Sequence, residues 1–211
     1  TARGARAWHA LGPELSRAVQ ELARAEGCTL YMVLLGALSV LLGRLCGTED
    51  VVVGTPIAGR RRSELEGLVG FFVNTLVLRT DLSGNPAFRG LLARVKAATL
   101  GAYAHQDVPF EQLVEALNPP RSTTHPPLVQ VLFNLHNQPG GDLALEGLAV
   151  ERRAMPRHAA KFDLSVSVSG GTDGLALQLE YDADLFSEPY MRAFADAYAS
   201  LLTQLVADGG V

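Results

Sequence analysis

Gly70-Phe71-Phe72-Val73-Asn74-Thr75-Leu76-Val77-Leu78-Arg79 is the stretch whose reading decides the fold. From Phe71 to Arg79 it is an apolar strand, with Phe71, Val73 and Thr75 on one side and Phe72, Asn74 and Leu76 on the other. Asn74 is the odd member. A primary amide left unpaired among apolar neighbours costs about 1–3 kcal/mol, so Asn74 either ties to nearby backbone or lines a wet cavity. Gly70 reads as a turn residue ahead of the strand. Upstream, Asp50 to Pro56, with Val51, Val52 and Val53, reads as a second strand, buried on both faces. Gly59-Arg60-Arg61-Arg62-Ser63 then forms a polar loop, and a short helix runs through Leu65 and Leu68.

The flanking segments alternate with helices. Pro13 to Glu26 has Leu15, Val19 and Leu22 at helical spacing, with Gly27 at its end. Thr29 can cap the following apolar run, which Gly47 closes. That run, Thr29 to Gly43, spans about 15 residues and falls short of the ~20 that a membrane crossing needs. It is therefore a helix buried on all sides. Asn85-Pro86 opens a helix with Phe88, Leu91, Leu92, Val95, Thr99 and Ala102 inward. Pro109 starts a shorter one that ends at Pro119-Pro120. Val129–His136, Leu148–Ala154, Leu164–Val168 and Leu175–Tyr181 read as strands. Ser187 to Val206 is a closing amphipathic helix with Met191, Phe194, Tyr198, Leu201, Leu202 and Leu205 on one face.

The chain has 211 residues, 48% hydrophobic and 19% charged, with net charge −4. That balance is ordinary for a globular domain and does not favour nucleic acid as a partner. The only lysines are Lys96 and Lys161, and this arginine bias fits a GC-rich bacterial source. No apolar h-region follows the first residues, so no secretory signal is expected. Cys28 and Cys46 bracket the buried helix and stand roughly 27 Å apart at about 1.5 Å per residue. They are expected as free thiols, consistent with a cytoplasmic location.

His105-Gln106-Asp107-Val108-Pro109-Phe110-Glu111 invites an acid–base reading. No nucleophile motif accompanies it. The plainer account places His105 at a helix C-terminus, Asp107 as the cap of the next helix and Pro109 in its first turn. In the strand from Val129, the odd positions through Leu135 share one face, while Gln130, Leu132, Asn134 and His136 share the other. That second face is either solvated or a polar wall. Arg60 to Arg62 are either a solvated loop or a phosphate contact. No His or Cys pair has metal-ligand spacing, so no metal site is expected.

In order and spacing, these segments resemble the condensation domains of non-ribosomal peptide synthetases. The resemblance runs from about Leu11 to Leu205. It is carried by Glu49-Asp50-Val51-Val52-Val53-Gly54-Thr55-Pro56, the runs at Gly70 and His105, Lys161-Phe162-Asp163-Leu164, and Tyr181-Asp182-Ala183-Asp184-Leu185-Phe186. It implies an α/β fold of the chloramphenicol-acetyltransferase-like kind, a two-layer sandwich with a mixed sheet and helices packed on one side. The family's general base lies in a His-His-x-x-x-Asp-Gly segment. Here no two of His9, His105, His125, His136 and His158 are adjacent. The chain, residues 1–211, is thus expected to be the C-terminal lobe of such a domain, inactive without its N-terminal lobe.

The resemblance also implies site residues. Asn74, Gln130, Asn134 and His136 would line the tunnel in which carrier-bound donor and acceptor are joined by an amide bond. Thr55, Arg60 and Arg61 would meet phosphopantetheine, with Gly54 to Arg62 as the floor loop and part of the segment after Phe133 as the latch. Gly70, His105, Asp107 and Pro109 would be structural. Arg121-Ser122-Thr123-Thr124 departs from the family's Arg-Asp-x-Ser, and Val129 stands where Phe is common. No cofactor is implied in this lobe, because substrates arrive on the phosphopantetheine of peptidyl carrier proteins. An adenylation domain is the expected neighbour, with no membrane partner. Two alternatives share the same residues: a lobe of an epimerisation or heterocyclisation domain, and a non-catalytic module that docks carrier proteins.

Overall fold

In the computed structural model, residues 3–60, 63–65, 67–120, 122, 125–136, 147, 148, 150, 159–171 and 174–207 are described. The elements in chain order are β1 (Gly4–Gly12), α1 (Pro13–Ala25), α2 (Leu30–Cys46), β2 (Asp50–Ile57), β3 (Asn74–Asp81), α3 (Phe88–Ala104), α4 (Phe110–Leu117), β4 (Val131–His136), β5 (Leu164–Gly171), β6 (Gly174–Asp182) and α5 (Glu188–Ala207). One six-stranded sheet has the order β1-β6-β5-β4-β2-β3. It is mixed: β4 runs parallel to β2 and β5, and the other neighbours are antiparallel.

Helix α2 organises the core. Thr29 Oγ1 accepts from Met32 N at 3.2 Å at one end, and Gly47 closes the other in the left-handed conformation. Between them Met32 to Ser39, Leu41 and Leu42 are buried, as an apolar circumference requires. Sheet residues Val51, Val53, Leu78, Phe133, Val166, Val168, Leu177 and Leu179 complete the same core. The Tyr198 hydroxyl, fully buried on α5, donates to Leu34 O of α2 at 2.8 Å. Ser39 Oγ and Thr80 Oγ1 pair at 3.3 Å beneath β3.

Several boundaries differ from the sequence reading. β1 has no counterpart in that reading: Gly-Ala-Arg-Ala-Trp-His-Ala-Leu-Gly has little β-branched content, and the strand exists because β6 pairs with it along the sheet edge. The helix expected through Leu65 and Leu68 is only a 3-10 turn at Ser63–Leu65, with Leu68 exposed. β3 starts at Asn74 and not at Phe71, because Phe71 to Val73 have no ladder partner. α3 starts at Phe88, and Asn85 takes φ 45 ahead of it. The expected strand Leu148–Ala154 lies almost wholly outside the described residues.

Val129 carries the most instructive correction. Alternation places it with Phe133 in the core. The alternation breaks at a bend at Gln130, before β4 begins. Val129 is fully buried, but on the opposite side of the sheet: its Cγ2 stands 3.1 Å from where a Cβ on Gly54 would be. Leu132 Cδ1 is equally close, so a Cβ at position 54 of β2 would crowd both methyl groups.

Replacing Tyr198 by Phe keeps the ring and removes only the donor to Leu34 O. The expected cost is about 1 kcal/mol, read as a fall in melting temperature of roughly 2–4 °C for a domain of this size.

Candidate functional site

Asn74 is the point at which the sheet is tied to the α3–α4 connection. Its Nδ2 donates to Gln106 O at 3.0 Å and to Val108 O at 2.8 Å. Its Oδ1 accepts from Phe110 N at 3.0 Å and from Thr75 N at 2.9 Å. Both halves of the amide are therefore used. The bond from Phe110 N also satisfies a donor in the first turn of α4, whose Ncap residue, Pro109, makes no side-chain cap bond. Asp107 was expected as the cap of this helix, but the cap position falls on Pro109; Asp107 lies exposed beside the cleft. His105 ends α3 as expected, its Nδ1 2.9 Å from Gly101 O.

Asn74 faces a cleft of about 370 Å³ whose lining includes Gly59, Phe71, Phe72, Asp107 and Glu111. Gly59 has φ 65, and a Cβ there would overlap Phe72 O, so the two arms of the β2–β3 connection touch through backbone. Arg60 caps this crossing. Its guanidinium lies 4.3 Å from the Phe72 ring centroid and its Nη1 donates to Leu65 O. Beyond the crossing, Val69 and Phe71 are 104% and 92% exposed, and Leu68, Val73 and Val108 are exposed beside them. Gly70 lies in a bend ahead of β3, as expected, without positive φ. Phe72 Cε2 would stand 2.8 Å from a Cβ on it.

The sheet face away from the core is polar and half-buried. Register aligns Trp8, Gln178, Ser167 and Asn134 in one row, and Ala10, Ala176, Ser169 and His136 in the next. A third row carries Arg6, whose Nη2 meets Glu180 Oε2 at 2.9 Å, with Ser165 and Leu132. Asn134 Nδ2 and His136 Nε2 lie 3.2 Å apart. Trp8 on the edge strand is 63% exposed.

The sequence-derived candidates therefore fall into two places. Asn74 belongs to the cleft, on the helix side of β3; Asn134 and His136 belong to the open sheet face. Gln130 Nε2 donates to Pro126 O at 3.1 Å. Thr55 is 3% exposed and points into the helix layer, where Tyr31 is its neighbour, so it has no surface for a phosphopantetheine contact. Burial pushes the Tyr31 phenol well above its usual range, with the Thr55 contact opposing the rise and nearby Tyr103 adding to it. Of the segment expected as the floor loop, Gly54 to Ile57 belong to β2. Arg61, Arg62, Arg121, Thr123, Thr124, His158 and residues 137–146, where the latch was expected, lie outside the described residues. Among the described residues no three His, Cys, Asp or Glu side chains gather to hold a metal. No single helix there is long and apolar enough to cross a membrane. Cys28 and Cys46 are free.

The sequence model of the Condensation domain matches residues 1–210. The chain belongs to the condensation-domain family. It is 45% identical over 202 residues to malpinin synthetase of Mortierella alpina, covering 96% of this chain and 3% of that protein. It is also 45% identical over 202 residues to the dimodular nonribosomal peptide synthase of Bacillus subtilis (strain 168), covering 93% of this chain and 8% of the relative. The X-domain from teicoplanin biosynthesis superposes with a TM-score of 0.90 at 29% identity, covering 99% of this chain and 48% of that one. The first condensation domain of the calcium-dependent antibiotic synthetase superposes at 0.82 with 21% identity, a likeness of fold, covering 100% and 47%. The chain thus spans less than a tenth of these two synthetases and about half of the solved domains.

The condensation-domain fold here is the chloramphenicol-acetyltransferase-like sandwich, with the helix layer on one side and, among the described residues, no helix on the polar face. Sequence reasoning picked out Asn74 correctly as a polar residue needing partners. It missed the row of Trp8, Gln178 and Ser167, although period-two serines at 165, 167 and 169 marked a strand with one polar side.

Asn74→Leu should strand the Gln106 and Val108 carbonyls and the Phe110 N–H, lowering stability by about 1–3 kcal/mol. Denaturant titration measures this. Asn74→Asp, which can accept but not donate, should recover the bond to Phe110 N without recovering the two carbonyls.

Proposed function

We propose that this chain is the C-terminal lobe of a peptide synthetase condensation domain and supplies one wall of the tunnel in which two carrier-bound acyl groups are joined. The observation that carries the reading is the pairing of a half-length match with an exposed surface: the chain covers 48% of a solved domain of the same fold and leaves an apolar loop tip exposed beside a cleft. Exposed contiguous apolar side chains mark surfaces that another element covers.

The chemistry follows from what the residues can and cannot do. In amide formation the acceptor's amine attacks the donor's thioester carbonyl. A C–N bond forms, the C–S bond breaks, and the donor's phosphopantetheine leaves as a thiol. The amine must lose a proton, and a general base within hydrogen-bond reach contributes typically 10²–10⁴-fold. Asn74 cannot accept that proton near neutral pH, and His105 lies at the exposed end of α3 with its Nδ1 2.9 Å from Gly101 O. The resemblance places the base in a His-His-x-x-x-Asp-Gly segment, which this chain lacks, so on this reading the base comes from the other lobe and this lobe contributes wall and scaffold. The partners are the N-terminal lobe, peptidyl carrier proteins and an adjoining adenylation domain. The setting is the cytoplasm, and this lobe holds no cofactor of its own.

A second reading has a specific observation behind it. A complex of the X-domain and OxyB from teicoplanin biosynthesis superposes with a TM-score of 0.88 at 28% identity, covering 99% of this chain and 46% of that chain. That neighbour binds a protein partner, so a lobe of this fold can serve as a docking module.

The 211-residue chain alone should form no amide between two loaded carriers. The complete domain containing it should form one, and His105→Ala in that domain should cost far less than the ~10²-fold expected of a general base. Liquid chromatography with mass spectrometry of the carrier-bound product distinguishes the readings. A complete domain that binds carriers without forming product would favour the docking module.

A further inference from the structure

The loop tip beyond the β2–β3 crossing poses a physical problem. An almost fully exposed Phe71 and Val69 gain nothing from burial in this lobe, yet the backbone beneath them is closely fixed. Gly59 and Phe72 meet through backbone atoms, Arg60 covers the Phe72 ring, and the same guanidinium donates to Leu65 O on the outgoing arm. On the other flank the last pair of the hairpin, Ile57 with Asn74, is anchored to the α3–α4 connection. An arginine is suited to this place because its planar fork can lie on an aromatic face and still donate in-plane, which a lysine cannot do equally well.

We propose that Arg60 is a positioning residue: by clamping Phe72 to Leu65 it holds the apolar tip of Val69, Phe71 and Val73 in the pose that docks against the other half of the domain. The proposal rests on the reading of this chain as one lobe, and names the side chain that makes its docking surface rigid. The occupant is the remaining half of the fold, because this chain covers only 46–49% of six of the solved single-domain matches. Ordering a loop only on docking would oppose association with the entropy of fixing its backbone. A clamp already closed in the free lobe removes that penalty. This role replaces the phosphopantetheine contact that the resemblance implies for Arg60.

Hydrogen–deuterium exchange of peptides covering residues 64–73 tests it, comparing the 211-residue chain with the complete domain. In the wild type, docking should protect these amides in the complete domain. Arg60→Ala should make them exchange about tenfold faster there, the loss of one charge-assisted hydrogen bond. The melting temperature and the exchange of α2 and β6 should stay unchanged, and Arg60→Lys should recover only part of the protection. Equal exchange in wild type and Arg60→Ala would overturn the proposal. So would a general loss of stability, which would make Arg60 an ordinary fold residue. Amide formation by the wild-type domain is measured in parallel. Its absence would sink the functional reading while the exchange comparison still decides the clamp.

Discussion

A helix that is apolar on every side can exist in water only if something covers its whole circumference, and α2 imposes that demand on the rest of the lobe. The sheet covers it from below, and α1, α3 and α5 flank it. With α1, α3 and α5 committed to α2, the chain puts these helices on one face of the sheet. The polar opposite face follows from this allocation. Serines at 165, 167 and 169 stand where a second helix layer would require aliphatic residues.

The same constraint explains what could be read from the sequence. α2 was legible because composition alone declares it, and its caps, Thr29 and Gly47, have the residue types that helix ends favour. α1, α5 and the paired strands β5 and β6 were legible from periodicity. β1 was not, because its alanines carry no strand signature and its conformation is imposed by β6 over a long sequence separation. Val129 was misplaced because a bend at Gln130, between it and β4, reverses the side to which it points. Periodicity has no means of detecting such a reversal.

The candidate site was legible in part, for a related reason. A lone amide in an apolar run signals a need for partners, and Asn74 meets that need through backbone groups of the α3–α4 connection. Which groups would answer could not be read, since Gln106, Val108 and Phe110 contribute only their backbones and any sequence supplies those. Thr55 and Arg60 were nominated by their place in a motif. The structure shows one turned into the helix layer and the other engaged with Phe72 and Leu65. A motif fixes the order of residues along the chain but not the side of a strand from which each side chain leaves.

Trp8 gives the lobe a property unrelated to catalysis. It is the chain's one tryptophan, placed on the outermost strand and exposed on the polar face of the sheet. An indole in water emits at longer wavelength than one in an apolar contact, and its emission is open to quenching by dissolved iodide. The molecule therefore carries its own optical gauge of whether that face is bare or covered. No label is needed, and no second indole in these 211 residues confuses the signal.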